Sequence, residues 1–171
     1  MEYKEPKKLV EYFQKNLQDA IKESRIETKT AGITKKEFHN IWLEVDRKQF
    51  REAVKLLTQL HYPHIAIISG NDTGETIDLV YHFSLYYGQL FNEISVNIRV
   101  ELEGKKPSID SITDLIPGAQ TTERETKEML GVQFVGLPEM HNIFLPEDFP
   151  KNVHPFRKNE KGLDELVQKE S

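Results

Sequence analysis

The chain has 171 residues, 37% of them hydrophobic and 30% charged, with 23 basic against 28 acidic residues and a formal net charge of -5. A chain of this length makes one domain plus an extension and can bury roughly 70% of its unfolded surface, while the acidic balance lacks the concentrated basic face that nucleic-acid binding needs. Cysteine is absent, which excludes disulfides, a thiol nucleophile, a cysteine-ligated iron–sulfur cluster and a thiolate zinc site.

Lysine outnumbers arginine, and Glu, Lys and Ile are plentiful, a composition that leans toward thermophiles. No apolar run approaches the ~20 residues of a membrane span. The opening MEYKEPKKLVEYF lacks the apolar core of a secretory signal. These features predict a protein of the cell interior, without a membrane span of its own.

In chain order, Pro6 suits a first helical turn, and Leu9, Val10, Phe13, Leu17, Ala20 and Ile21 recur at helical spacing. They predict an amphipathic helix running to about Ser24, followed by a short strand over Arg25–Thr30 and a turn at Ala31-Gly32. Phe38–Val45 reads as a strand with Ile41, Leu43 and Val45 on one face and Trp42 on the other. Phe50, Ala53, Val54, Leu57 and Leu60 form the stripe of a second helix, stopped by His-Tyr-Pro. A short apolar strand, Ile65–Ile68, precedes a Ser-Gly-Asn-Asp-Thr-Gly cluster that reads as a turn.

Strict alternation then runs from Ile77 to Tyr87 and, after Gly88, from Ile94 to Leu102. Two such segments around a Gly-containing turn predict an antiparallel hairpin with one wet face. Ile109–Ile116 suggests a helical turn or two. The expected class is α+β: a mainly antiparallel sheet with helices packed on one side, plus an extended C-terminal tail. Residues 1–120 form the domain in this reading, and residues 121–171 form a short helix and a partner-binding tail.

That last region carries the motifs. Thr122 and Glu125 have capping-box spacing. Glu123 with Lys127, and Arg124 with Glu128, are four apart on a helix. Gly131 suits a left-handed stop. An apolar, proline-containing strip follows with no steady period, then His154-Pro-Phe-Arg157-Lys158. Such a strip cannot bury its side chains against itself and needs a surface, in its own domain or in a partner.

Taken in order, Glu123-Arg124-Glu125, Met-Leu-Gly-Val, Gly136-x-Pro138, Leu145-Pro-Glu-Asp148 and His154-Pro-x-Arg157-Lys158 resemble the signature of the 30-kDa subunit family of complex I and related membrane-bound hydrogenases. Upstream, Trp42-Leu-Glu-Val, Ser69-Gly-Asn-Asp, Val80-Tyr-His-Phe83 and Pro107-Ser-Ile-Asp-Ser-Ile agree, so the resemblance spans Phe38 to Lys158. It departs where Thr121-Thr122 replace an aromatic, where Gly136-Leu-Pro-Glu-Met-His141 replaces Gly-His-Pro-Asp-Leu-Arg, and where Asn159-Glu160 follow His-Pro-Phe-Arg-Lys.

The resemblance implies a cofactor-free scaffold subunit on the cytoplasmic face of the cell membrane. Iron–sulfur clusters, and in hydrogenases a NiFe centre, would belong to its partners, a cluster-bearing small subunit and a hydrogenase-like large subunit. The short, lysine-rich form points to an archaeal-type energy-converting hydrogenase or a sulfur-reducing relative rather than an NADH-linked enzyme. Glu123, Arg124, Glu125, Asp148, His154 and Arg157 are the expected interface residues.

Other chemistries fit less well. Glu123 and Glu125, two apart, point about 200° from one another around a helix and cannot converge as an acid–base pair. His61-x-x-His64 straddles Pro63 with no third ligand at a suitable spacing. No P-loop, GxGxxG or Ser–His–Asp arrangement is present. Glu147-Asp148 serves equally as a local cap or as an interface charge. A free-standing α+β binding domain, and an enzyme using the Glu-Arg-Glu helix, are the readings from other classes.

Overall fold

The computed structural model describes residues 3–33, 35–89, 92–138 and 141–158. Helix α1 (Pro6–Leu17) buries Leu9, Val10, Phe13 and Leu17. Helix α2 (Phe50–Leu60) buries Phe50, Ala53, Val54, Leu56, Leu57 and Leu60. Both apolar stripes follow from the three-to-four-residue spacing of these side chains. Five strands, β1 (Ile21–Ala31), β2 (Lys36–Val45), β3 (His64–Asp72), β4 (Thr76–Leu85) and β5 (Ile94–Glu103), form one sheet in the order β1-β2-β5-β4-β3. Every neighbouring pair is antiparallel except β2 with β5, which runs parallel because α2, β3 and β4 intervene between them.

The alternation in β4 and β5 places Ile77, Leu79, Tyr81, Phe83 and Leu85 beside Ile94, Val96, Ile98, Val100 and Leu102, all buried on one face. The opposite face carries polar rows. Arg99 donates to Glu44 at 2.7 Å and to Asp78 at 3.0 Å. His82, on this same face, lies 2.7 Å from Asn97. Trp42 is partly covered there, with the Arg25 guanidinium 5.0 Å above its ring.

After β5, a three-residue strand β6 (Ser108–Asp110) leads through a turn to helix α3 (Ala119–Leu130), and β7 (Gln133–Val135) returns to pair parallel with β6. Helix α3 packs along β3 and contributes Ala119 and Leu130 to the same core as the sheet. It therefore straddles the division expected at residue 120.

Four local expectations are corrected. The first helix ends at Leu17, because Gln18 adopts φ 47° and a single 3-10 turn feeds directly into β1. Ile21 thus starts a strand that pairs with β2 along its length, and this pairing outweighs the helical spacing of Ala20 and Ile21. Ser69–Asp72 lies within β3, paired with β4 down to Asp72 opposite Ile77, and the turn is confined to the residues after it. At Gly70 the Leu130 side chain of α3 packs directly on the strand, and a Cβ there would meet Leu130 Cδ1 at 2.2 Å and push that side chain aside. The expected helical turns at Ile109–Ile116 are half strand, in β6, and half turn, closed by Ile116 N–H to Ile112 O at 2.8 Å. Finally, β4 stops at Leu85, and Tyr86 takes φ 58° and buries its ring, leaving Tyr87 outside the alternation and stacked on His64.

Candidate functional site

The sequence motifs converge on α3, whose polar side chains work in two directions. Toward the sheet, Thr122 Oγ1 accepts the Ile68 N–H of the outer strand β3 at 2.9 Å. This satisfies a buried donor on a sheet edge that would otherwise be orphaned. The expected capping box does not form. Pro117-Gly118 starts the helix earlier, so Thr122 lies one turn inside it and the helix has no side-chain cap.

Glu123 is fully buried. Its Oε2 accepts from the Ser111 hydroxyl at 2.6 Å and its Oε1 from the Ile112 N–H at 2.9 Å, fastening α3 to the turn after β6. Burial pushes its carboxyl up to about 7, against those two hydrogen bonds. The Tyr81 hydroxyl, buried with no hydrogen-bond partner among the described residues, is raised well above its ordinary value by burial and then by the Glu123 charge. Arg51, paired with Asp114 and donating to Ser111 O, faces the same turn from α2.

Toward the tail, Arg124 donates to the His141 carbonyl. Glu128, 8% exposed, accepts three consecutive backbone N–H groups: Ile143 at 2.6 Å, Phe144 at 2.9 Å and Leu145 at 3.1 Å. Successive amides converging on one carboxylate form a compact anion cradle, here built by the tail around a helix side chain. The pairing of Arg124 with Glu128 suggested by their spacing is replaced by these two contacts to the tail.

The end of α3 is closed by the tail as well. His154 Nδ1 lies 3.0 Å from Glu128 O, a carbonyl that can only accept, so this nitrogen donates. Phe156 N–H donates to Met129 O at 2.9 Å. These are carbonyls a helix end leaves without partners of its own. Gly131, at φ 69°, is doubly required, since a Cβ there would also lie 2.5 Å from the His154 ring.

Arg157 finishes the path. It donates to Gly104 O at 2.6 Å and sits 3.1 Å from Asp72, a carboxylate that also accepts from the Gly74 and Lys158 amides. Burial opposes the Asp72 charge, but those two amides and Arg157 outweigh it and hold the carboxyl below its ordinary value.

Of the expected interface residues, Glu123 is therefore spent inside the chain, while Arg124, His154 and Arg157 seat the tail. Glu125 is half-buried and Asp148 is exposed, and neither has a polar partner among the described residues. Glu128 and Asp72 complete the arrangement; the sequence offers Glu128 only as a helix partner for Arg124 and Asp72 only within Ser69-Gly-Asn-Asp, neither as an anchor for the tail. A carboxylate that gathers backbone amides leaves no pattern of side-chain types to find. The tail presents apolar side chains outward: Phe144 is 54% exposed and Phe156 63%, and Val135 of β7 is 55% exposed. No group of three or more His, Cys, Asp or Glu among the described residues could hold a metal ion, and no described helix is long and apolar enough to cross a membrane.

Comparison with known proteins places this arrangement. The chain is 31% identical over 130 residues to membrane-bound hydrogenase subunit beta of Pyrococcus furiosus, covering 75% of each. It is 33% identical over 103 residues to the C-type subunit of the NADH-quinone oxidoreductase of Moorella thermoacetica, covering 60% of each. It is 32% identical over 111 residues to formate hydrogenlyase subunit 5 of Escherichia coli, of which it spans 19%. Among solved structures, its fold matches a chain of the membrane-bound sulfane sulfur reductase (MBS), an archaeal respiratory membrane complex, with TM-score 0.71 at 18% identity over 95% of this chain and 89% of that one. It also matches the trypsin-resistant fragment of Nqo5 with TM-score 0.58 at 23% identity, over 78% of this chain and 97% of that one. With the model of the respiratory-chain NADH dehydrogenase 30-kDa subunit matching residues 43–165, which run from β2 through the clamp on α3 and its tail, the chain belongs to that family.

Proposed function

We propose that this chain is a cofactor-free scaffold subunit of a membrane-bound, complex I-like oxidoreductase that couples electron transfer to ion translocation. Within that class, the reading is an archaeal-type energy-converting [NiFe] hydrogenase or a sulfur-reducing relative. The partners are a cluster-bearing small subunit and a hydrogenase-like large subunit, and the chain sits peripherally on the cytoplasmic side. The observation that carries the reading is the tail clamp. Glu128, Arg124, His154 and Arg157 fix the backbone of residues 141–158 while Phe144 and Phe156 point away from the chain's own core. A segment with its backbone satisfied and its large apolar side chains exposed is built to be covered by a neighbour.

The similarity to the Pyrococcus hydrogenase subunit supports the hydrogenase branch. The NADH-quinone branch is the second reading, supported by the Moorella relative. Native purification from membranes, with mass spectrometry of the companions, tests both. A NiFe-type large subunit and a ferredoxin-like or sulfur-reducing partner set support the first. NADH-oxidising companions select the second, and a chain recovered alone overturns the scaffold role. Arg124→Ala, which frees the His141 end of the clamp, is expected to lower recovery of companions more than it lowers the melting temperature of the isolated chain.

A further inference from the structure

Strand β1 is the sheet edge farthest from α3 and the tail, and no strand among the described residues pairs with its outer side. A long free edge presents a row of unpaired N–H and C=O groups, and edge charges ordinarily guard it against a second strand. The charges of β1 do the opposite for one arrangement. Laid antiparallel to itself about Ile26, the stretch Glu23-Ser-Arg-Ile-Glu-Thr-Lys29 sets Arg25 against Glu27, Glu23 against Lys29 and Ser24 against Thr28, with Ile26 facing Ile26. Two-fold symmetry makes each of these contacts twice.

We propose that β1 is a homodimerisation edge, through which two copies of the chain pair antiparallel about a two-fold axis at Ile26 and join their sheets into one. The side chains are placed for it. Arg25 and Glu27 lie 3.4 Å apart along one face, with 54% and 38% of their side chains exposed. Facing the same pair in reverse, they form a square of alternating charge. Arg25 is already ordered over the Trp42 ring at 5.0 Å, so little of its freedom remains to be lost. Ile26, paired with the buried Ile41 of β2, is 36% exposed at the centre of the edge, and a second Ile26 would cover it.

The same charges reject the neighbouring registers. Sliding by two residues one way sets Arg25 against Arg25 and Glu23 against Glu27. Sliding the other way sets Glu27 against Glu27 and Arg25 against Lys29. A one-residue slip would turn the second sheet's core face to the wrong side. Attraction in one register and repulsion in its neighbours is what specificity requires. Because β1 and α3 lie at opposite edges of the sheet, this contact leaves the tail free, and it can form whether or not the scaffold role holds.

The absence of cysteine makes the test direct. In the full chain, Ile26→Cys puts two thiols on the axis, where facing Cα atoms are about 4.5–5.5 Å apart and within disulfide reach. Thr30→Cys faces Lys22 of the second copy and lies about 26 Å from its own counterpart. Under mild oxidation the first variant is expected to cross-link and the second is not. In sedimentation, the unmodified chain is expected to dimerise, Arg25→Glu to weaken the dimer at least tenfold, and Arg25→Glu with Glu27→Arg to restore it. Circular dichroism confirms that each variant is folded. A monomer at all concentrations, a dimer indifferent to Arg25→Glu, or equal cross-linking at both positions overturns the proposal.

Discussion

The sheet with α1 and α2, and the tail on α3, are held by different physics. In the first, side chains from two helices and four strands share one apolar interior: Phe50 lies 4.3 Å from Tyr81, and both are fully buried. In the second, the backbone of residues 141–158 is held by a few charged or polar groups, chiefly Glu128, Arg124, His154 and the Asp72–Arg157 pair. Burial of apolar surface is non-directional and cooperative. A clamp of single hydrogen bonds is local, and each anchor is removable by one substitution. The domain is therefore suited to hold its shape alone, and the tail to be completed by a neighbour.

The largest effect is expected from breaking the first region. Phe50→Ala opens a cavity under Tyr81 and should cost about 3–5 kcal/mol in chemical denaturation. The tail should be lost in the same transition, because its platform is gone. A separate, unchanged tail transition would show that α3 and the tail fold independently of the sheet.

Next is the junction of the two regions, where Glu123 and Asp72 carry opposite pH dependences. The Glu123 carboxyl is raised from 4.5 to about 7, so the native state binds a proton that the unfolded chain has released. Its stabilising share is complete below pH 4.5 and is lost as pH rises to about 7, a loss of roughly 3 kcal/mol. Glu123→Gln keeps an acceptor for Ile112 and a donor for Ser111 without the charge, and should flatten that slope in denaturation midpoints measured from pH 5 to 8. Asp72 runs the other way. Its carboxyl is lowered from 3.8, so its contribution is full above that value and lost as pH falls through the folded one. Acid should therefore release the end of the tail while α3 stays fastened, seen as amide exchange rising first near Arg157 and Lys158.

The first region was legible because burial repeats. The alternation of β4 and β5 and the stripe of α2 predict core residues that the fold buries. Where repeating apolar residues meet a competing partner, spacing alone misleads, as at Ile21, which β2 draws into a strand. The tail had motifs but no period, and motifs record residue types rather than partners. Thr122 and Glu125 match a capping box, yet Thr122 serves β3 because the helix begins earlier. Arg124 and Glu128 match an ion pair, yet each turns to a tail backbone that sequence could not place. The family resemblance marks the region, and only the fold separates the fully buried Glu123 from the half-buried Arg124 and Glu125 beside it.

Inside the clamp the effects are smaller and should stay local. Glu128→Gln keeps one acceptor for three amides and turns a donor toward the rest. The loss should be about 1.5–3 kcal/mol, felt by the 141–158 segment rather than by the global midpoint. Limited proteolysis should cut that segment faster while the sheet core survives. Gly131→Ala should act similarly, since it strains a left-handed residue and pushes the His154 ring off Glu128 O.

The smallest effect on the isolated chain is expected at Asp148, and it is the sharpest test of the contrast. Asp148 is exposed and has no polar partner among the described residues, so Asp148→Asn should move stability by less than about 0.5 kcal/mol. The residue lies on the clamped segment four residues after the exposed Phe144, on the stretch that a covering neighbour would meet. An interface charge acts on association rather than on folding. The variant should therefore leave the melting curve unchanged while lowering the yield of companions in native purification. Unchanged recovery would place Asp148 outside the contact, and a lowered melting temperature would show that it works within the chain, as Glu123 does.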